Sequence, residues 1–359
     1  MSTLVSIATL GDSATLAAHL IHALPVVVIF PHNQCNCRCV MCDIWRIREA
    51  KEITPEDLEQ HLSAFRQLGV RWFVFSGGEP QLNKKWSCLA QMLRSTGSRV
   101  TLLTAGLLLK SQAQAITESV DDVIVSLDGP PAVHNRIRRI PHAFEQLADG
   151  VKALHHIRPE MPVRARCTVQ KGNHHSLRAV VEYAKHIGLN SVSFLAADLT
   201  SVAFNRSEGW GPDRVGRVAL ASEEVDALEA EVEHLTKEHR ADLDSGFVVE
   251  TADKLLRIVR HFRAHLGQTN NVAPRCNAPW VSAVVEASGD IRPCFFHPVL
   301  GNIHRQALPD ILNGSEALQF RANLDVQHNE ICRRCVCSLY IPRPDDPDFR
   351  LTRDRRTIV

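Results

Sequence analysis

The sequence has no long hydrophobic segment and no excess of charge of one sign. No run reaches the ~18 to 20 apolar residues that a membrane-spanning helix needs, and the apolar run at 24–30 is only as long as a strand. The formal net charge is +1 over 359 residues, whereas binding to nucleic acid requires clustered Lys and Arg. We therefore expect no membrane segment and no nucleic-acid partner.

An export signal is also missing, because no basic leader followed by an apolar core and a cleavage site opens the sequence. This absence predicts a cytoplasmic location, where thiols stay reduced. The 11 cysteines are then better explained by metal binding than by a disulfide framework. Cys88 and Cys167 are exceptions, and we expect both to be buried small hydrophobic residues.

Three cysteines stand close together in the run HNQCNCRCVMCDIW, spaced C-x3-C-x2-C: Cys35, Cys39 and Cys42. An iron-sulfur cubane held by protein usually takes four thiolates, and a structural zinc site takes four Cys or His ligands. Three ligands on one loop therefore indicate a site that binds something else at its open position. A zinc site, or thiols without a ligand role, are the alternatives. We interpret Cys37, between the first two, as a bystander.

A second motif, SGGEP at 76–80, follows an apolar run that reads as a buried strand. Glycines at a strand end let the backbone pass close to a ligand, and Glu79 offers an anion for an ammonium group. The alternative is a plain strand-to-helix turn in which Pro80 opens the next helix.

Together, the two motifs resemble those of the radical S-adenosylmethionine (SAM) superfamily. The resemblance implies that SAM chelates the fourth iron of a [4Fe-4S] cluster whose other three irons bind Cys35, Cys39 and Cys42. It also implies a site for the SAM amine, lined by Gly77, Gly78 and Glu79. Met41 stands where the family often has an aromatic residue, and we expect it to pack near the adenine.

Short apolar runs alternate with amphipathic stretches along 26–195, which predicts βα units and a parallel sheet. The candidate strands are 26–30, 72–75, 100–103, 123–127, 163–169 and 191–195, and the candidate helices include 55–68 behind Thr54, 144–156 and 175–187. The resemblance implies an α/β fold, a partial (βα)6 TIM-like barrel of the radical SAM type. In such sheets, ligands sit at the carboxyl ends of the strands.

Two further strand ends match the family. VSLDG at 125–129 resembles its Ser-x-Asp-Gly segment, which implies that Ser126 and Asp128 face SAM; a local Ser/Asp turn is the alternative. On the fifth strand, Arg164 and Arg166 share one face. Arg166 is our candidate partner for the SAM carboxylate. The alternative is that the two arginines form a solvated or salt-bridged strand face. Leu195 ends the sixth strand, where relatives offer backbone groups to adenine.

Other polar residues near these strand ends are weaker candidates. Thr104 follows the third strand and could meet SAM or substrate. A His/Arg cluster just past Ser126 is a candidate substrate contact or a polar surface loop, and it comprises His134, Arg136, Arg138 and His142.

The remaining cysteines lie near the carboxyl end of the sequence, around a predicted hairpin at 281–296. Their pattern, C-x12-G-x4-C and then C-x2-C, resembles the auxiliary-cluster domains called SPASM and its one-cluster form, Twitch. The resemblance implies one auxiliary [4Fe-4S] cluster in a small cysteine-rich α+β domain, with the ligands Cys276, Cys294, Cys332 and Cys335. Cys337 is an alternative ligand, and a four-cysteine zinc site is an alternative centre.

We expect five segments: an N-terminal extension at 1–24, a radical SAM core at 25–200, a helical linker region at 201–270, the auxiliary domain at 271–340 and a tail at 341–359. About 24 residues before the first strand are too few for the leader-binding module of many peptide-maturing relatives, which favours a small-molecule or unusual peptide substrate.

The resemblance implies an enzyme that reductively cleaves SAM to methionine and a 5'-deoxyadenosyl radical, which abstracts hydrogen from a substrate carbon. Natural-product, sugar or peptide modification is the expected setting, with a flavodoxin- or ferredoxin-type reductant as partner. Alternatives are a ribosomal-peptide or sulfatase-type maturase, and, from another class, a non-catalytic iron-sulfur or zinc protein for electron transfer or scaffolding.

Overall fold

A computed structural model describes residues 16–342 of the chain. Residues 1–15 of the predicted N-terminal extension and residues 343–359 of the predicted tail lie outside this range. Six strands follow one another with helices between them, and they are β1 (Val26–His32), β2 (Trp72–Gly77), β3 (Arg99–Thr104), β4 (Asp122–Ser126), β5 (Val163–Val169) and β6 (Ser191–Ala196). Each pairs in parallel with its sequence neighbours, which confirms the six predicted strands and the (βα)6 arrangement.

Helices connect the strands and pack against the sheet. They are α1 (Pro55–Glu59), α2 (Leu62–Gln67), α3 (Trp86–Arg94), α4 (Ala113–Ser119), α5 (Pro131–Arg138), α6 (Ala143–Ile157), α7 (Leu177–His186), α8 (Pro212–Val215), α9 (Ser222–Glu238), α10 (Arg240–Asp244), α11 (Ala252–His265), α12 (Ala278–Val281), α13 (Leu308–Asn313), α14 (Ser315–Asn323) and α15 (Glu330–Arg333). Short 3-10 turns occur at Ile44–Arg46 and Pro80–Leu82. In the described part of the chain, no helix is long and apolar enough to cross a membrane.

The predicted helix at 55–68 is instead two helices, α1 and α2. Thr54 caps α1 as predicted, in a reciprocal pair of hydrogen bonds with Asp57. The helix breaks before Leu62, where the buried ring of His61 donates a hydrogen bond from Nε2 to the Ile303 carbonyl oxygen, 3.0 Å away. That partner lies 242 residues along the chain, so local sequence carries no sign of it.

The predicted C-terminal hairpin extends the barrel sheet. It comprises β7 (Ser282–Val285), β8 (Asp290–Arg292) and β9 (Gly301–Asn302). β7 pairs in parallel with β1, and β8 and β9 add to it antiparallel, giving one nine-stranded sheet. Val284 of β7 packs against Val28 and Val74 inside the barrel. The hairpin is therefore stabilised by the barrel sheet, which the local sequence did not indicate.

The core lies between the outer face of the sheet and the helices. Fully buried side chains from neighbouring strands include Val27, Ile29, Phe73, Phe75 and Leu102. Burying each such side chain contributes roughly 1.5 to 3 kcal/mol, so the strands form a rigid support for the loops at their ends. Cys167 is buried as predicted, but the prediction for Cys88 was wrong, because Cys88 lies on the solvent face of α3.

The amino end of the barrel is closed by a polar network centred on Asp122, whose side chain is fully buried. Arg99 Nε donates to its Oδ2 at 2.6 Å and Arg164 Nη1 to its Oδ1 at 2.9 Å. Thr101 Oγ1 also donates to Asp122 Oδ2, at 3.0 Å. This network occupies the amino ends of the strands, so the carboxyl ends remain available for a functional site.

Candidate functional site

The loop after β1 carries the three spaced cysteines and is held from two sides. Arg38 N donates to the Arg138 carbonyl oxygen at 3.1 Å and Val40 N to the Ile137 carbonyl oxygen at 3.0 Å, so the end of α5 supports the middle of the loop. Gln34 Nε2 donates to the carbonyl oxygens of residues 47 and 48. We call residues 33–43 the cysteine loop.

Each of the three spaced cysteines is a free thiol whose sulfur accepts one N–H hydrogen bond. Cys37 N donates to Cys35 Sγ, Ile44 N to Cys42 Sγ, and Arg138 Nη1 to Cys39 Sγ, each at 3.5 Å. Hydrogen bonds to sulfur stabilise thiolate ligands and tune iron-sulfur clusters. The donor set therefore fits a cluster with three cysteine ligands.

The Cys39 thiol has a lowered pKa. This pKa falls to about 6, chiefly because the Cys37 thiol donates to Cys39, with the Arg138 charge acting in the same direction. Burial raises the pKa of Cys42 to about 12. Cys37 itself is buried, and its hydrogen bonds to Cys35 and Cys39 raise its pKa. It thus supports the loop from within, which adds a structural role to the predicted bystander.

Within residues 16–342, no three Cys, His, Asp or Glu side chains converge on a position for a single metal ion. The thiolates of a cubane bind different irons of the cluster, so cluster ligands need not converge in that way.

Gly77, the last residue of β2, and Gly78 directly after it bring the strand end against the cysteine loop. A Cβ on Gly78 would lie 2.0 Å from the Gln34 carbonyl oxygen, and one on Gly77 would lie 2.6 Å from Phe30 Cγ. Gly77 also has φ +99°, a conformation that favours glycine. Glu79 N donates to the Gln34 carbonyl oxygen at 2.8 Å. The motif is therefore a close backbone contact between two strand-end loops.

The Glu79 carboxylate is buried and already has protein partners. Its Oε2 accepts hydrogen bonds from Thr104 Oγ1 and Ala105 N, both at 2.9 Å, and its Oε1 accepts one from Gln81 N at 3.4 Å. Burial raises its pKa to about 7. Glu79 thus ties the end of β2 to the end of β3, and Thr104 is one of its partners.

Ser126 is the last residue of β4 and Asp128 lies two residues beyond it, but the two side chains lie in different surroundings. Ser126 is half-buried and in register with Arg166 of β5, which is in register with Ser193 of β6. Arg166 Nε donates to Ser193 Oγ at 3.5 Å. These three side chains form one row across the sheet near the strand ends, whereas Arg164 is bound to Asp122 at the opposite end.

Asp128 is fully buried, and its carboxylate faces the protein interior. Its Oδ2 accepts a hydrogen bond from Arg138 Nε at 2.6 Å, and its Oδ1 accepts one from Thr168 N at 3.2 Å. His134 is also buried, and its Nδ1 accepts a hydrogen bond from Asp128 N at 3.2 Å. Burial lowers the pKa of His134 to about 4. The His/Arg cluster is therefore partly internal, since only Arg136 and His142 are exposed.

Met41 and Leu195 are both half-buried and pack against the core. Sequence reasoning missed what holds Met41 in place: a loop after β6 that crosses the cysteine loop. Arg206 Nη2 donates to the Met41 carbonyl oxygen at 2.7 Å, and Trp210 Nε1 donates to Asp43 Oδ2 at 2.5 Å. We call residues 198–214 the strap.

The strap is itself tightly bonded. Arg206 stacks on the Trp210 ring at 3.6 Å and donates to Asp198 Oδ2 at 2.8 Å. Arg214 Nη2 donates to Asp43 Oδ1 at 3.0 Å. An aspartate directly after the third cysteine was the available sequence signal, but its partners lie more than 160 residues away.

The five C-terminal cysteines lie close enough to perturb one another. Burial raises the pKa of Cys294 to about 12, and the charges of Cys276 and Cys332 act in the same direction. Burial also raises the pKa of Cys335 well above its ordinary value, with the charges of Cys337, Cys294 and Cys276 adding to the shift.

Two of these cysteines contact further groups. The His297 ring lies with Nε2 3.3 Å from Cys332 Sγ. Burial raises the pKa of Cys337 to about 11, against the charge of Arg166. Cys337 thus lies close enough to Arg166 of the barrel row for the two charges to interact.

Known proteins match both halves of the chain. The family model of the radical SAM superfamily matches residues 29–184, and that of the SPASM iron-sulfur cluster-binding domain matches residues 276–336. An AdoMet-dependent heme synthase of Methanosarcina barkeri is 25% identical over 336 residues, which cover 87% of this chain and 90% of that protein.

Other similarities cover one domain or the fold alone. An Fe-coproporphyrin III synthase of the same organism is 28% identical over 192 residues, 51% of this chain and about half (47%) of that protein. Streptococcus suis SuiB, solved with its precursor peptide SuiA, has a TM-score of 0.63 and 15% identity over 91% of this chain and 74% of SuiB.

These matches agree with the fold and the cysteine groups. The first domain implies a SAM-binding [4Fe-4S] cluster, and the second implies auxiliary iron-sulfur chemistry. The chain is therefore an enzyme of the radical SAM superfamily with a C-terminal SPASM iron-sulfur cluster-binding domain.

Proposed function

We propose that this enzyme reductively cleaves SAM and abstracts a hydrogen atom from a carbon of its substrate. When bound, the cofactor pair supplies methionine and a 5'-deoxyadenosyl radical, while the protein positions it and excludes water. The observation that carries the proposal is the contact between the cysteine loop and Gly78, because it joins three N–H-supported thiols to a glycine strand end.

The proposed cofactor site lies at the carboxyl ends of β1 to β6. The cluster ligands are Cys35, Cys39 and Cys42, which leave one iron for SAM. The backbone at Gly77 and Gly78 borders the SAM amine, and Glu79 fixes that backbone from behind through its bonds to the end of β3.

The other proposed SAM contacts come from the half-buried side chains of the barrel. Arg166 and Ser126 are in register on neighbouring strands. In this proposal, their row of side chains lies beside the SAM carboxylate. Met41 and Leu195 border the adenine.

The C-terminal cysteines are proposed to bind one auxiliary [4Fe-4S] cluster through Cys276, Cys294, Cys332 and Cys335. Cys337 is the alternative ligand, and its thiol interacts electrostatically with both Arg166 and Cys335. The proposed segments are the core at 25–200, the helical linker at 201–270 and the auxiliary domain at 271–340.

Anaerobic reconstitution followed by reductant and SAM tests the main proposal. We expect 5'-deoxyadenosine from the wild type and none from Cys39→Ala. A flavodoxin- or ferredoxin-type protein is the proposed physiological reductant. If iron-loaded wild type releases no 5'-deoxyadenosine, the alternative of a non-catalytic iron-sulfur protein is favoured.

Cys294→Ala tests the auxiliary assignment. We expect the variant to keep the SAM-responsive spectrum of the first cluster and to lose about one [4Fe-4S] cluster per chain. Unchanged iron and sulfide content in Cys294→Ala would contradict this ligand set.

A second proposal concerns substrate class. Natural-product, sugar or peptide modification remains the broad proposal. A relative that is 25% identical over 87% of this chain is a heme synthase, which favours a tetrapyrrole as the first small molecule to test. Incubation with Fe-coproporphyrin III, SAM and reductant should consume the porphyrin if this is correct. An unchanged porphyrin alongside uncoupled SAM cleavage would direct the search to peptides and sugars.

A further inference from the structure

The three sulfurs of the cysteine loop receive different kinds of hydrogen bond. The donors to Cys35 and Cys42 are backbone amides, which carry no net charge. The N–H donor to Cys39 is the Arg138 guanidinium, which carries a full positive charge at any physiological pH. Arg138 therefore provides the charged contact among these three.

Arg138 is buried, and its position is fixed by a second contact. Its Nε donates to Asp128 Oδ2 at 2.6 Å, and the Asp128 side chain is fully buried. Asp128 is fixed in turn, since its Oδ1 accepts from Thr168 N at 3.2 Å and its carbonyl oxygen accepts from Asn173 Nδ2 at 2.9 Å. The guanidinium cannot leave Cys39 without breaking this buried pair.

The backbone of the same residue supports the loop as well. Arg138 is the last residue of α5, and its carbonyl oxygen accepts a hydrogen bond from Arg38 N at 3.1 Å. Arg139 follows in the left-handed conformation, with φ +55°. The end of α5 thus contacts the cysteine loop through both its backbone and its charge.

We propose that the Arg138–Asp128 pair sets the reduction potential of the SAM-binding cluster, an inference that rests on the function proposed above. Reduction makes a cluster more negative, and its potential depends on nearby charge and on hydrogen bonds to its sulfurs. A buried cation at Cys39 favours the reduced state, and the buried anion behind it limits that effect. Asp128 is then a positioning and balancing residue and not a direct SAM contact.

The two members of the pair predict shifts of opposite sign. Arg138→Gln removes the cation and should move the midpoint potential of the SAM-responsive cluster to more negative values. Asp128→Asn keeps the cation and removes the anion, so the potential should become more positive. Arg138→Lys keeps the charge and should lie closer to the wild type than Arg138→Gln does. A purely structural salt bridge would not produce shifts of opposite sign.

The experiment is a redox titration of the reconstituted full chain, with and without SAM. Electron paramagnetic resonance measures the reduced clusters at each potential. The auxiliary cluster is an internal reference, and Arg136→Gln is the matched control, because Arg136 is exposed and bonds to the Gly172 carbonyl oxygen. If Arg138→Gln fails to take up its cluster, Asp128→Asn and Arg138→Lys decide the question.

Opposite shifts with unchanged auxiliary and Arg136→Gln potentials support the proposal. Potentials equal to wild type, or shifts of the same sign in Arg138→Gln and Asp128→Asn, overturn it. A wild-type cluster that does not respond to SAM would instead refute the proposed function, so the two failures are distinguishable.

Discussion

At the scale of single residues, the site depends on glycines that allow close backbone contact and on carboxylates that are already hydrogen-bonded within the protein. Gly78 lets the end of β2 touch the cysteine loop, since a Cβ there would meet the Gln34 carbonyl carbon at 2.6 Å as well as its oxygen. Glu79 and Asp128 look like ligand-binding anions in the sequence, but both are bonded inside the protein. Both carboxylates therefore hold neighbouring segments of the protein in place.

Gly78→Ala should displace the cysteine loop, because the contact is with backbone and cannot be relieved by a side-chain rotation. We expect at least a tenfold loss of SAM cleavage, or failure to retain the first cluster, measured by 5'-deoxyadenosine and iron content. Gly211→Ala is the control, since a Cβ there meets nothing within 4 Å. Wild-type activity in Gly78→Ala would contradict this reading of the motif.

Glu79 predicts a pH effect with a definite sign. Burial raises its pKa from 4.5 to about 7, so the folded protein retains a proton that the unfolded chain releases. The free energy of unfolding contributed by this group therefore falls as pH rises from 4.5 to 7.

Infrared difference spectra of wild type against Glu79→Gln, taken without SAM, should show a protonated carboxyl band. The intensity of this band should fall to half near pH 7 as the pH is raised. The subtraction is needed because burial also raises the pKa of Glu250 to about 7. A Glu79 band that halves near pH 4.5 would show that the carboxyl is not shielded from solvent.

The limits of sequence reasoning are clearest at this scale. The cysteine spacing and the two glycines predicted the loop and the strand end, since both depend on local chemistry. Asp128 could not be understood in the same way, because its partner Arg138 lies ten residues on, at the far end of a helix. Arg164 shares a strand face with Arg166, and the sequence did not show that Arg164 is bonded to Asp122 at the amino end of the barrel.

At the scale of elements, the six parallel strands place the loops, and the strap covers one of them. Strand identity was predictable from apolar runs, because buried parallel strands are apolar throughout. The strap was not, because Asp43 and Trp210 are joined across 167 positions. The helix break before Leu62 likewise occurs at a residue whose hydrogen-bond partner lies 242 positions away.

Asp43→Ala should loosen the cysteine loop, because it removes the acceptor for Trp210 and Arg214 together. We expect faster amide hydrogen exchange across residues 38–43 and several-fold faster loss of the first cluster in air. Asp213→Ala, at an exposed position of α8, should behave as wild type. Equal exchange rates in the two variants would show that the strap does not hold the loop.

At the scale of the whole molecule, the barrel and the C-terminal module share one sheet. The sequence predicted a hairpin and a cysteine-bound cluster in this module. The structure adds that β7 pairs with β1, so that Val26–Ile29 of β1 faces Ser282–Val285. The two cysteine groups are thereby held on a single framework.

A chain ending at residue 270 should not form a stable barrel. Removing β7 exposes the apolar edge of β1, whose residues 26–29 are all buried in the intact chain, and open apolar edges associate. We expect aggregates in size-exclusion chromatography, whereas Cys294→Ala, which keeps β7, should elute as wild type. A monomeric truncated barrel would contradict the shared-sheet account.

The most direct test of the central claim is the spectrum of the anaerobically reconstituted protein before and after SAM is added. The account predicts a reduced [4Fe-4S] signal that SAM alters, 5'-deoxyadenosine on reduction, and loss of both in Cys39→Ala. Zinc alone at Cys35, Cys39 and Cys42, or a cluster signal indifferent to SAM, would contradict it.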